Sequence, residues 1–97
     1  MVYKIEEIKE KAILLAEKYN LGKMSLFGSY ARGEADEDSD IDFLIDTRGS
    51  MGMFKYASLL SNLEEEFQCH VDVITTECSN NKLLEEILNE EIVLYER

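Results

Sequence analysis

The sequence predicts one small α/β domain of the α+β kind, a β-sheet of three to four strands with flanking helices. Three observations predict it. Helix-period and strand-period hydrophobic patterns alternate, in the order helix, strand, helix, strand, helix, strand, helix, strand. The 97 residues, 1–97, are the size of a single domain with one core. Hydrophobic residues make up 45% of the chain, a globular rather than a disordered composition.

The elements follow in order. Over residues 4–19, Ile5, Ile8, Ala12, Leu15, Ala16 and Tyr19 recur at helical steps, with Glu and Lys on the other face. Asn20-Leu21-Gly22 ends that helix. A first strand runs from about Lys23 to Phe27, and Tyr30-Ala31-Arg32 opens a short helix after Gly28-Ser29. Gly33 and the acids beyond it lead through a loop into a second strand, about Asp40 to Asp46. Ser50 is placed to cap a helix from about Gly52 to Phe67, whose stripe is Met53, Tyr56, Leu60, Leu63 and Phe67. That stripe reads as core rather than as a cofactor site. Cys69 to Thr75 is a third strand, rich in Val and Ile. Ser79-Asn80-Asn81 offers a cap to a last helix buried through Leu83, Leu84, Ile87 and Leu88, and Ile92 to Tyr95 closes the chain as a short strand.

Charge excludes some functions. With 21 acids against 10 bases the net charge is −11, the reverse of a nucleic-acid-binding footprint, and anionic membrane is repelled as well. A basic protein partner, or metal at the acidic cluster, fits better. No apolar run approaches the ~20 residues of a membrane span, and the first residues lack the regions of a signal peptide, so a cytoplasmic location is expected. Cys69 and Cys78 have no metal-ligand spacing and read as reduced structural thiols. One histidine, His70, excludes a histidine-rich metal site within one chain.

The chemistry concentrates in residues 28–42. Asp40 and Asp42 alternate onto one strand face, roughly 6.5–7 Å apart. At an effective dielectric of 20, two such charges repel by about 2.5 kcal/mol. A divalent cation, Mg²⁺ or Mn²⁺, removes that cost and shares phosphate oxygens. A bare Asp-x-Asp equally describes a solvated strand start. Gly28-Ser29 shifts the balance: if the first two strands are antiparallel neighbours, this turn meets the aspartate pair at one sheet edge. The glycine permits close backbone approach, and the amides opening the next helix can receive phosphate. Asp72 interrupts the apolar third strand, where an unpaired charge is costly. Three carboxylates from two strands suit a two-metal site for in-line phosphoryl displacement, with Asp72 also able to take a proton from the attacking hydroxyl. Residues 34–46 hold Glu34, Asp36, Glu37, Asp38, Asp40, Asp42 and Asp46 and no base, so a nucleoside triphosphate needs divalent cations to approach. For Arg32 two readings stand open, contact with phosphate or pairing with one of these acids.

These residues resemble a known family. Gly28-Ser29, ten residues and Asp40-Ile41-Asp42 are similar to the signature of the DNA polymerase beta-like nucleotidyltransferase superfamily. Phe27 to Ala35 with Ser39 to Asp42 resembles the active-site segment of the minimal nucleotidyltransferase (MNT) proteins. A weaker likeness continues through Leu63 to Phe67, Val71 to Ile74 and Ile92 to Glu96. The resemblance implies the nucleotidyltransferase fold with a mixed β-sheet, nucleotide contacts from Gly28, Ser29, Arg32 and Ser39, and Asp40, Asp42 and Asp72 as catalytic metal ligands. It implies Mg²⁺ (or Mn²⁺) and transfer of a nucleotide, AMP from ATP, to a protein. Many such proteins are antitoxins paired with a HEPN-family toxin. Asp36 departs from the pattern, since relatives often carry a basic or neutral residue there. The absence of an acceptor lobe in so short a chain points to an acceptor that docks as a folded partner, and an acidic surface suits a basic one. Two alternatives remain at this stage, a partner neutralised by contact alone and nucleotide transfer to a small molecule such as an aminoglycoside. A homo-oligomer is compatible with either.

Overall fold

A computed structural model describes residues 2–47, 51–76 and 81–97. Its elements are α1 (Ile5–Lys18), β1 (Lys23–Phe27), α2 (Gly28–Arg32), β2 (Ile41–Asp46), α3 (Met53–Phe67), β3 (Val71–Thr75), α4 (Asn81–Glu90) and β4 (Ile92–Glu96). The predicted alternation holds throughout. Boundaries differ by a residue or two: α2 opens at Gly28, β2 begins one residue after Asp40, and β3 begins two residues after Cys69.

The four strands form one sheet in the order β3-β2-β1-β4. β1 lies antiparallel to both β2 and β4, while β2 and β3 are parallel and joined by the α3 crossover. The sheet is therefore mixed, as predicted. Phe27 pairs with Asp42, so the turn after β1 opens beside the start of β2. Asp42 pairs with Asp72, which brings the two parallel strands' acids side by side.

Burial follows strand alternation. Ile41, Phe43 and Ile45 are fully buried with Ile8, Ala12 and Ala16 of α1 and Leu59, Leu63 and Phe67 of α3. The Phe43 and Phe67 rings lie 5.9 Å apart, which ties β2 to α3. Alternate residues face the other way, and at the start of β2 that face stays open. Among the described residues Ser25 and Thr75 are buried polar side chains; Ser25, in mid-β1, is fully buried and its Oγ has no hydrogen-bond partner.

Three expectations are corrected. Met53 is 82% exposed, because it opens α3 before the helix meets the sheet, and Leu59 takes a core position instead. In α4 only Ile87 is buried; Leu83 and Leu88 remain 39% and 47% exposed. That helix packs against α2 at the sheet's end, so its apolar face is wider than the surface beneath it. Asp72 is not a charge inside an apolar strand but an exposed residue on the open face of β3. The cap of α3 is Gly52, without a side-chain hydrogen bond. Ser50, Ser79 and Asn80 lie outside the described residues. Cys69 is a free thiol, raised above its usual pKa mainly by burial, and Cys78 also lies outside the described residues. No helix among the described residues is long and apolar enough to cross a membrane.

Candidate active site at the β1–β2–β3 edge

Three strands supply the site. The chain leaves β1 at Phe27, and Gly28 turns it sharply with φ +76°, a left-handed backbone that favours glycine. The turn lies directly against Asp42. A Cβ on Gly28 would stand 2.2 Å from Asp42 Oδ2, so any other residue would force that carboxylate to shift. Gly33, with φ +74°, closes α2 five residues on, and the Glu34 amide donates to the Ser29 carbonyl at 2.9 Å.

The acids gather as the strand register dictates. Asp42 and Asp72 are cross-strand neighbours. Burial, the Asp72 charge and its contact, and the Asp40 charge together push Asp42 from 3.8 to about 6, with Arg32 opposing. A divalent cation held here would offset the repulsion between these negative groups. Asp40, one residue before β2, stands close to Asp72, and with His70 their ligand atoms lie within 4.8 Å of one another. This donor set, two carboxylates and one imidazole with the Asp42 carboxylate beside Asp72, suits a hard or borderline divalent cation.

The structure places Gly28 against Asp42, Asp42 beside Asp72, and Asp40 close to Asp72 and His70. Arg32 takes the acid-pairing option: its Nε donates to Glu34 Oε2 at 3.1 Å and its Nη1 to Glu90 Oε2 at 3.2 Å. Ser39 is engaged within its own loop, accepting from the Asp36 amide at 2.9 Å and donating to Asp36 Oδ1 at 3.2 Å.

Two residues at this edge escaped the sequence reading. Glu90, the last residue of α4, accepts a hydrogen bond from the Gly28 amide at 3.1 Å through the same carboxylate that holds Arg32. Its distance along the chain hides it. His70 was set aside as a lone histidine, yet its Nε2 lies 3.1 Å from Asp72 Oδ1. Its pKa is raised, first by the Asp40 charge and then by Asp72. The available signal was spacing: His70-Val71-Asp72 repeats the period of Asp40-Ile41-Asp42.

Comparison with known proteins places this geometry. The family profile described as Polymerase beta, Nucleotidyltransferase matches residues 6–97. A Methanocaldococcus jannaschii relative, provisionally named a protein adenylyltransferase, is 39% identical over 88 residues, 91% of this chain and 95% of its own. The protein adenylyltransferase MntA of Thermococcus cleftensis is 33% identical over 76 residues, 78% of this chain and 77% of its own. In a solved structure of a tri-AMPylated Shewanella oneidensis HEPN toxin with its MNT antitoxin, one chain shares the fold with a TM-score of 0.76. Identity there is 19%, over 95% of this chain and 72% of that one.

Proposed function

Because this chain belongs to the polymerase beta nucleotidyltransferase family, among its MNT-type protein adenylyltransferases, we propose that it moves AMP from ATP onto a hydroxyl of a protein partner. On this reading residues 1–97 act as one minimal nucleotidyltransferase domain. The partner is a HEPN-type toxin that adenylylation silences, as the pairing in the Shewanella complex suggests. The reaction takes place in the cytoplasm, with Mg²⁺ or Mn²⁺ as the metal.

The observation that carries the proposal is the contact between Gly28 and Asp42. A glycine whose missing Cβ is replaced by a carboxylate oxygen joins a phosphate turn to a metal ligand with nothing between them. Asp40, Asp42 and Asp72 hold the divalent cation or cations. When bound, the metal neutralises the triphosphate and the charge that develops on its α-phosphoryl group. Gly28 and Ser29 receive the phosphates. Arg32, positioned by Glu34 and Glu90, lies at the same edge, and Ser39 keeps the 36–39 loop folded against it. The acceptor hydroxyl attacks the α-phosphorus in line, a new P–O bond forms, and the bond to the pyrophosphate leaving group breaks. Asp72, exposed at the mouth of the site, takes the hydroxyl proton.

The test combines the chain, α-labelled ATP, Mg²⁺ and the product of the neighbouring gene, which on this reading is the toxin. Label is expected on the toxin, and none when Asp40→Asn and Asp42→Asn are combined. Transfer that survives the double variant overturns the mechanism.

A further inference from the structure

The acids account for three corners of the edge. The fourth is His70. β2 and β3 are parallel and in register, so Asp42 stands beside Asp72, and Asp40 and His70 each lie one residue before the first paired residues, Ile41 and Val71. The Ile41 amide donates to the His70 carbonyl at 3.2 Å and sets Asp40 beside His70. Asp40, His70 and Asp72 thus bring their ligand atoms within 4.8 Å of one another on one open face, with Asp42 next to Asp72.

From this we infer that His70 Nε2 is a direct ligand of the bound divalent cation and biases the site from Mg²⁺ toward Mn²⁺. The inference rests on the reading that Asp40, Asp42 and Asp72 bind metal. Two further observations support it. The 3.1 Å between His70 Nε2 and Asp72 Oδ1 matches the edge of an octahedron, since bonds of about 2.1 Å at right angles place neighbouring donors about 3.0 Å apart. The other ring nitrogen is also provided for: Nδ1 lies 3.5 Å from Glu64 Oε2, on the last turn of α3. A metal-bound imidazole regularly gives its second N–H to a carboxylate, which fixes the tautomer and orients the ring. Glu64 is then a positioning residue, with the proton on Nδ1 facing it and the Nε2 lone pair facing the cation. Nitrogen donors favour Mn²⁺ and later transition metals over Mg²⁺, which prefers oxygen. A simple surface ion pair explains the contacts to Asp72 and Glu64 but predicts no metal–nitrogen bond.

The chain contains one histidine, which makes the test unambiguous. The untagged full chain is loaded with Mn²⁺ and examined by pulsed EPR for imidazole ¹⁴N coupling, with a second sample carrying ¹⁵N-histidine. Directly bonded nitrogen is expected in the wild type, converted to the ¹⁵N pattern by labelling and absent from His70→Ala. Mn²⁺ affinity should fall about tenfold or more in His70→Ala and by roughly tenfold in Glu64→Gln, while Mg²⁺ affinity changes about twofold at most. Because His70 is exposed, neither variant threatens the fold, and circular dichroism verifies this. Mn²⁺ bound with no nitrogen coupling overturns the role of His70 and leaves the carboxylate site standing. No Mn²⁺ bound in wild type, with no metal-induced rise in Tm, overturns both.

Discussion

Asp42→Asn should stabilise the metal-free protein while removing its activity. In the folded chain Asp42 titrates at about 6 against 3.8 for an ordinary aspartate, because burial and the neighbouring acids penalise its charge. A folded-state pKa above the unfolded one means the folded state binds more protons between these values. The associated stability is therefore fully present below about pH 4 and is lost as pH rises through about 6. A shift of about two units corresponds to about 3 kcal/mol. Asp42 is only partly buried, and solvent screening lowers this to about 1–2 kcal/mol. Asparagine has the same shape, offers Asp72 an amide donor and carries no charge. Thermal denaturation in EDTA from pH 4 to 8 measures the effect. The wild type should lose this increment relative to Asp42→Asn across the window. At pH 7.5 the variant should melt about 4–8 °C higher for each kcal/mol gained. Added Mg²⁺ should reverse the order, since it stabilises only the chain that binds it. The reasoning is refuted if Asp42→Asn melts below wild type in EDTA at pH 7.5, or if the two proteins show parallel pH profiles.

The same edge and the core beside it yield further expectations. Gly28→Ala places a methyl group 2.2 Å from Asp42 Oδ2 on a backbone with φ +76°. Transfer should fall by about 10²-fold, as for a reacting group displaced by about 1 Å, with a stability loss of at least about 1 kcal/mol; labelled-ATP assays and urea unfolding check both. Glu90→Gln removes the anion that occupies the Gly28 amide and Arg32. Binding of a nonhydrolysable ATP analogue with Mg²⁺ should tighten about three- to tenfold, because a phosphate no longer displaces a charge, and weaker binding by calorimetry would refute this. Ser25→Ala deletes a buried hydroxyl that has no partner and should raise stability by about 1 kcal/mol; a loss of stability in urea titration would mean that the hydroxyl is satisfied in solution.

How much of this was readable depended on the range of the interaction. Gly28, Asp40 and Asp42 were legible because one strand–turn–strand unit sets their mutual placement, and the spacing is written in consecutive residues. Asp72 was legible as a polar interruption, but for the wrong physical reason. It was taken for a buried charge requiring relief, whereas the strand pair leaves that end of the sheet open. His70 depends on β2–β3 register, which is set by how α3 returns the chain and not by any local pattern. Glu90 depends on the packing of α4 over α2, 62 residues from Gly28, and no periodicity encodes a contact of that span. The amphipathic stripes of α3 and α4 show the same limit. A stripe specifies which side of a helix is apolar, but the neighbouring elements decide how many of its turns are covered. Met53, Leu83 and Leu88 fall beyond that cover.

These contacts bear on how the site attracts nucleotide at all. Arg32 is the nearest base in sequence to the acid-rich loop, and two carboxylates, Glu34 and Glu90, already hold it. The Gly28 amide is held by one of the same carboxylates. The elements expected to receive phosphate are therefore internally satisfied by anions, and the carboxylates at the strand edge repel another. Coulombic attraction from the protein cannot be what draws in a triphosphate. The attraction has to come from divalent cations, whose charge offsets Asp40, Asp42 and Asp72 and also draws phosphate oxygens against Glu90. It follows that affinity for nucleotide should be governed by metal occupancy far more than by Arg32. A chain with Arg32→Ala should lose less nucleotide binding than one with Asp42→Asn.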